Sequence, residues 1–338
     1  MAEGQYAQVP RRSAPWVGRA TLATATPTTP WLLPMSSSHT PHAATLPPSF
    51  SSAPTSARAA CTRLFFDVDD TLTWHGRLPD EAVRALYRAK DAGLSLCAVT
   101  GRSFAWGELL VRLFPLDAVV AETGASALYF DGQGRLQALH HENDDERTRL
   151  SQVRAHAAVV ALNAIKTARL ALDNVGRVAD TAFDLVESGD PVPEADIVAL
   201  REVLHGAGLQ TARSSVHVNC FAYGEHGAFD KATMVDRLLR HTAGISLNDA
   251  SATLCYVGDS GNDGPLFARA ALSVGVGNIV GHLPGLVSLG QAPRFMVDGC
   301  GGFGFAAVVN ALLDAKAARD VGVDIDDADT DDAAVATR

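Results

Sequence analysis

Cysteine is scarce and scattered. The 338 residues hold five, Cys61, Cys97, Cys220, Cys255 and Cys300, with no CxxC pair among them. That excludes a disulfide framework or a thiolate zinc site as the organising feature and fits a reducing compartment. Basic residues are outnumbered, 28 Lys and Arg against 38 Asp and Glu, for a formal net charge of -10. Nucleic acid is therefore excluded as the main partner, because binding phosphate chains needs clustered Lys and Arg. No apolar run approaches the roughly 20 residues that cross a bilayer, so no membrane partner is expected. Acids are nearly missing from the first sixty residues, where Glu3 stands alone among Ser, Thr, Ala, Pro and the arginines Arg11, Arg12, Arg19 and Arg58. Such a composition buries no core. Residues 1–60 are expected as a disordered or targeting N-terminal segment: a tail, an extension ahead of Met35, or an organellar transit peptide. The expected location is cytoplasmic, or organellar in the last case.

From residue 63 onward the chain is rich in core-forming residues. Short apolar runs ("RLFFD", "LSLCAVTG", "LDAVVAETG") alternate with helical patterns ("DEAVRALYRAKDAG", "FAWGELLVRLF"). Strand–helix alternation with continuously apolar strands predicts an α/β fold, a parallel sheet covered by helices on both faces. The rhythm then changes. "NDDERTRLSQVRAHAAVVALNAIKTARLAL" reads as one long helix, followed by strand-like "DTAFDLVES" and "SSVHVNCFAYG" around a helix near residues 194–205. The expected organisation is a discontinuous core domain (61–125 and 227–317) with an inserted α+β domain (126–226). The acidic stretch "DIDDADTDD" lies in a disordered tail over 318–338.

Three apolar strands end in residues a packed core would not choose. They are Asp67 and Asp69; Thr100, Gly101 and Arg102; and the run Gly258-Asp259-Ser260-Gly261-Asn262-Asp263. In open α/β sheets ligands bind outside the carboxyl ends of strands, where the strand order reverses. Carboxylates converging there would repel one another and raise one another's pKa. A hard divalent cation removes that difficulty, and oxygen ligands without His or Cys suit Mg²⁺ shared with a substrate phosphate. Thr100 offers a hydroxyl, Gly101 a closely approachable N–H, and Lys231 a charge in the first turn of a helix whose free N–H groups also favour an anion.

"DVDDT", "VTGR", a helix-opening lysine and "GDSGND", in that order, resemble the four motifs of haloacid dehalogenase (HAD) superfamily phosphatases, and the resemblance covers roughly residues 63–315. The inserted block resembles the large cap of subfamily IIB, which includes Cof-type sugar phosphatases, sucrose-phosphate, trehalose-phosphate and mannosyl-phosphoglycerate phosphatases, and phosphomannomutases. The resemblance implies a Rossmann-like doubly wound core and a role for each matching residue. Asp67 is the nucleophile and Asp69 the general acid and base. Thr100, Gly101 and Lys231 hold the phosphoryl group. Asp67, Asp69 through its carbonyl and Asp259 bind Mg²⁺, Asp263 holds Lys231 or a metal-bound water, and Asn262 is a supporting residue. Two positions depart from the family: Asp70 stands where many members carry Gly, and Thr123 of "AETGA" where relatives often carry Asn, which alters a local polar contact.

In the inserted block, Arg177, Asp180 and Asp184 near one strand, and His217 and Asn219 on a shared face of another, are candidates for contacting a substrate's hydroxyls. The function expected is Mg²⁺-dependent hydrolysis of a small phosphorylated metabolite, a sugar phosphate, through an aspartyl-phosphate. The alternatives are a phosphomutase on the same fold and a non-catalytic sugar-phosphate sensor. Oligomeric state is not written in the sequence.

Overall fold

The computed structural model describes residues 46–321. Eight strands form the main sheet: β1 (Arg63–Phe66), β2 (Ser95–Val99), β3 (Ala118–Ala121), β4 (Ser126–Phe130), β5 (Leu136–His140), and, after a long excursion, β9 (Leu254–Gly258), β10 (Leu272–Gly275) and β11 (Phe295–Met296). Their order is β11-β10-β9-β1-β2-β3-β4-β5. The first six in that order are parallel, while β4 pairs antiparallel with β3 and β5 antiparallel with β4. The order reverses at β1, which lies between β2 and β9. The carboxyl ends of those strands therefore define the crevice where ligands bind in this class of sheet.

Period-two alternation along β1 builds two hydrophobic layers. Leu64 and Phe66 pack on one side with α2 (Asp80–Asp91), α3 (Phe104–Leu113) and the final helix α10 (Gly301–Asp320). Phe65 packs on the other with Val99, Tyr256 and α6 (Lys231–Ala243). Short helices α7 (Leu247–Ala250), α8 (Gly264–Phe267) and α9 (Leu283–Ser288) complete that second layer. Helix α2 carries acids in its first turn and Arg88 and Lys90 in its last, which complements its dipole.

The excursion is a separate three-stranded antiparallel sheet, β6 (Thr181–Asp184), β8 (His217–Phe221) and β7 (Gln210–Arg213), in the order β6-β8-β7. Helices α4 (Asp144–Ala164) and α5 (Glu194–Gly206) cover it through Leu150, Ala157, Phe183, Leu200 and Val218. No helix among the described residues is long and apolar enough to cross a membrane.

Four expectations change. The boundary at residue 126 falls inside the main sheet, because β4 and β5 hydrogen-bond onto β3 as a hairpin, so the smaller sheet's own elements begin with α4. The long helix ends at Ala164, not near residue 172. Ile165 turns extended, and residues 169–171 pair with β6 through Ala171 N–H to Ala182 O and Asp184 N–H to Arg169 O. Within the segment 1–60, residues 46–60 are ordered: Phe50 is fully buried, and helix α1 (Thr55–Ala60) follows it. The remainder of that segment lies outside the described residues. The tail expected from 318 begins as the end of α10, and its acidic run also lies outside the described residues.

Candidate active site

Asp67 follows β1, Thr100 follows β2 and Asp259 follows β9, so three neighbouring strands deliver them to one edge. All three are buried. Lys231 is also fully buried, at the first position of α6. The cap of that helix is Asp230, whose side chain accepts from Thr233 N–H at 2.7 Å. Gly124 lets the chain leaving β3 press against this point, since a Cβ there would sit 2.1 Å from the Asp230 carbonyl oxygen.

The lysine's Nζ stands 3.1 Å from Asp67 Oδ1, 2.7 Å from Asp263 Oδ1 and 3.0 Å from Asn262 Oδ1. Burial alone would lower its pKa, but Asp263 and Asp67 outweigh that and hold the ammonium charged. Asp263 is saturated: besides the lysine it accepts from Tyr256 Oη at 2.6 Å and from the backbone N–H groups of Asp259 and Ser260 at 3.0 Å each. Gly258 makes room for it, because a Cβ there would meet the Asp263 carboxylate at 2.6 Å.

The nucleophile candidate sits in a different environment. Burial, with the neighbouring charges of Asp263 and Asp69, pushes Asp67 up to about 7 despite Lys231. Asp259 is pushed well above the usual carboxylate range by burial and by Asp263 and Asp67. Asp259 is steadied by Thr71 Oγ1 at 3.2 Å and Asn278 Nδ2 at 3.1 Å. Carboxylate oxygens of Asp67, Asp259 and Asp263 lie within 4.8 Å of one another. Such a group of buried acids, all oxygen, fits a hard divalent cation. With Asp263 committed to the lysine, Asp67 and Asp259 are the residues left to hold one.

Asp69 makes the other contact. Arg102 grips it with Nε and Nη2, at 2.6 to 3.0 Å. The same guanidinium reaches the inserted block, where Glu187 accepts at 2.7 and 3.1 Å. Glu187 in turn bonds His217 Nε2 at 2.9 Å. Hydrogen bonds from His217 and Arg102 hold Glu187 down at about 2. A chain of charge thus runs from Asp69 through the core to the smaller sheet.

Arg177 and Asn219 are likewise spent on protein groups. Both donate to the Gly101 carbonyl oxygen at 2.9 Å and to Asp180 at 2.7–2.8 Å. His217, Asn219 and Arg177 are buried at the junction of the two sheets and join them. Asp184 is filled by Arg169, Ser188 and three backbone N–H groups. The two departures are visible as well. Asp70 adopts φ +52° and accepts from His75 N–H, a left-handed position open to Asp as to Gly. Thr123, φ +57°, has a buried hydroxyl without a partner among the described residues.

A sequence reading gives no role to Arg102 and passes over Glu187, Tyr256, Asn278 and Glu122. Arg102 lies inside the quoted "VTGR". Glu122 carries no such signal: its buried carboxylate accepts backbone N–H groups from Phe104, Val178, Ala179 and Asp180, and so ties β3 to the inserted block.

The site thus combines a parallel sheet with buried acids at its reversal point, a helix-opening lysine between two of them, and a second sheet inserted ahead of that lysine. Residues 64–166 match the family model described as haloacid dehalogenase-like hydrolase. A phosphoglycolate phosphatase of Pyrobaculum aerophilum is 29% identical over 259 residues, 75% of this chain and 96% of that protein. Among solved structures, a Thermoplasma acidophilum protein superposes with a TM-score of 0.55 at 20% identity, covering 75% of this chain and 98% of that one. The sucrose-phosphatase of Synechocystis, solved with sucrose and phosphate, gives 0.52 at 18%, covering 74% and 97%. Over residues 64–166 this chain is similar to haloacid dehalogenase-like hydrolases, and it shares its fold with both solved structures.

Proposed function

We propose that the protein is a Mg²⁺-dependent phosphomonoesterase acting on a small phosphorylated metabolite, with sugar phosphates the leading class. The observation that carries this reading is the buried Lys231 held between Asp67 and Asp263 with Asp259 alongside. Asp67 attacks phosphorus: its Oδ–P bond forms as the ester P–O bond breaks, and the departing alkoxide takes a proton from Asp69. Asp69 then removes a proton from water as that oxygen attacks the phosphoryl group and Asp67 is released. Thr100 and the Gly101 N–H orient the phosphoryl oxygens, and Lys231 supplies fixed positive charge at Asp67. Mg²⁺ held by Asp67 and Asp259 would offset the negative charge that otherwise repels the attacking carboxylate.

Arg102 orients the acid by binding both its oxygens. Beside it opens a cleft of about 400 Å³, lined by Arg102, Trp106, Leu172, Asp173, Glu187 and Ser188. That is room for a small leaving group. The relatives named for phosphoglycolate and sucrose phosphate bracket the chemistry: a phosphate ester on a small, hydroxyl- or carboxylate-bearing carbon skeleton.

The test is a panel of phosphoglycolate and phosphosugars, assayed for inorganic phosphate with Mg²⁺ and with EDTA. Release that requires Mg²⁺ is expected. Turnover that survives chelation removes the metal from the reaction, and isomerisation of a phosphosugar without phosphate release would make the enzyme a mutase.

A further inference from the structure

A second cluster of cationic side chains lies where the inserted block joins the core. It surrounds a small cavity of about 10 Å³ walled by His141, Glu142, Arg147, Leu150, Arg154 and Phe229, none of which belongs to the acid and lysine cluster. Arg154 is only 4% exposed. Seven buried side-chain N or O atoms lack a hydrogen-bond partner among the described residues, and four of them line this cavity: Arg154 Nε and Nη1, Arg147 Nε and His141 Nδ1. A buried donor without an acceptor costs about 1–3 kcal/mol, more when it is charged. The three guanidinium nitrogens among them, Arg154 Nε and Nη1 and Arg147 Nε, gathered in one place are therefore a signal of something that accepts them.

The acids nearby are already engaged. Glu142, in the wall itself, accepts from His226 N–H at 3.1 Å and faces the His226 ring nitrogen at 2.8 Å. Asp144 pairs with a different nitrogen of Arg147, Nη2, at 2.6 Å. Asp180 and Glu122 act on Arg154 through charge. Their oxygens are nevertheless taken, Asp180 by Arg177 and Asn219 and Glu122 by four backbone N–H groups. The space is that of roughly one water molecule. Phosphate and carboxylates do not fit. A water has two lone pairs for at least three guanidinium N–H groups, whereas a monatomic anion accepts from all of them. His141 Nε2 lies 3.3 Å from the Gly227 carbonyl oxygen, so its Nδ1 donates to an anion only when the ring is protonated.

We infer that this cavity is a halide site, filled by chloride, with the guanidinium groups of Arg154 and Arg147 as its donors. The ion joins helix α4 of the inserted block to the linkers at residues 141–142 and 222–229, fixing the base on which the block is mounted. The site is independent of the phosphatase reading, because its ligand and its measurement involve no turnover.

The test uses the whole chain. Thermal unfolding is followed in sodium chloride and in sodium gluconate at equal ionic strength. Saturating chloride should raise the melting temperature by about 2–4 °C, the shift expected for a ligand well above its dissociation constant in a protein of this size. Arg154→Met should abolish that difference. Crystals of the unaltered protein grown with millimolar bromide should show anomalous scattering between Arg147 and Arg154, which decides the matter even where the variant fails to fold. Equal melting temperatures in the two salts, or a cavity that holds only water in the bromide crystals, would overturn the inference.

Discussion

At the scale of single residues, the site depends on how one lysine divides its charge between two acids. Asp67 is raised to about 7 by burial and neighbouring carboxylates, so making it neutral relieves repulsion. Asp67→Asn should therefore leave the melting temperature unchanged or higher while turnover falls by about 10³ or more, since an amide cannot attack phosphorus. A variant that kept a tenth of the wild-type rate would remove Asp67 from the nucleophile's role. Lys231→Met should behave in the opposite way. It strips a buried cation from two buried acids, and losing one partner of such a group costs about 3–5 kcal/mol. Denaturant unfolding reads that loss, and a second change, Asp263→Asn, should recover part of it by removing one of the stranded charges. Asp67 and Asp259 are legible in the sequence because a strand of continuous apolar residues has no packing reason to end in acid. Arg102 is half-legible, since its position is motif-bound while its partner Glu187 stands 85 residues away.

At the scale of elements, the joint between core and inserted block is made of ion pairs. Glu187 is held below its ordinary value of 4.5, at about 2, by His217 and Arg102. A depressed acid contributes stability that is whole above the unfolded pKa and is lost as pH falls through the folded one. The difference in melting temperature between wild type and Glu187→Gln should hold steady from pH 8 to pH 5 and shrink steadily below about 4.5. A difference that grows on acidification would contradict the assignment. The elements themselves were unevenly readable. Buried parallel strands announce themselves as apolar runs, and α2, α3 and α6 carry clear start and stop signals. The hairpin of β4 and β5 was hidden because nothing in its residues says which sheet it joins. The end of α4 was hidden because the apolar rhythm continues past Ile165 while the backbone turns to pair with β6. Strand β7, "QTAR", is too short and too polar to show a period.

At the scale of the whole molecule, composition misjudges the approach to the core. Residues rich in Ser, Ala and Pro read as too polar to pack. Yet Met296 N–H donates to the Pro48 carbonyl oxygen at 2.9 Å, Ser49 bridges Met296, and Phe50 is buried with its ring 5.9 Å from that of Phe295. The peptide from Pro48 to Ala60 thus covers the β11 edge of the sheet and ends beneath α10, where Lys316 and Arg319 donate to the Ala59 carbonyl oxygen. This has a consequence for any shortened form of the protein, whether made by a protease, by an alternative start or by cloning. Compared with a chain beginning at residue 46, a chain beginning at Cys61 should melt several degrees lower and bare a row of unpaired backbone groups beside Phe295. Light scattering on the two truncations would show it, because only the second should stick to its own copies.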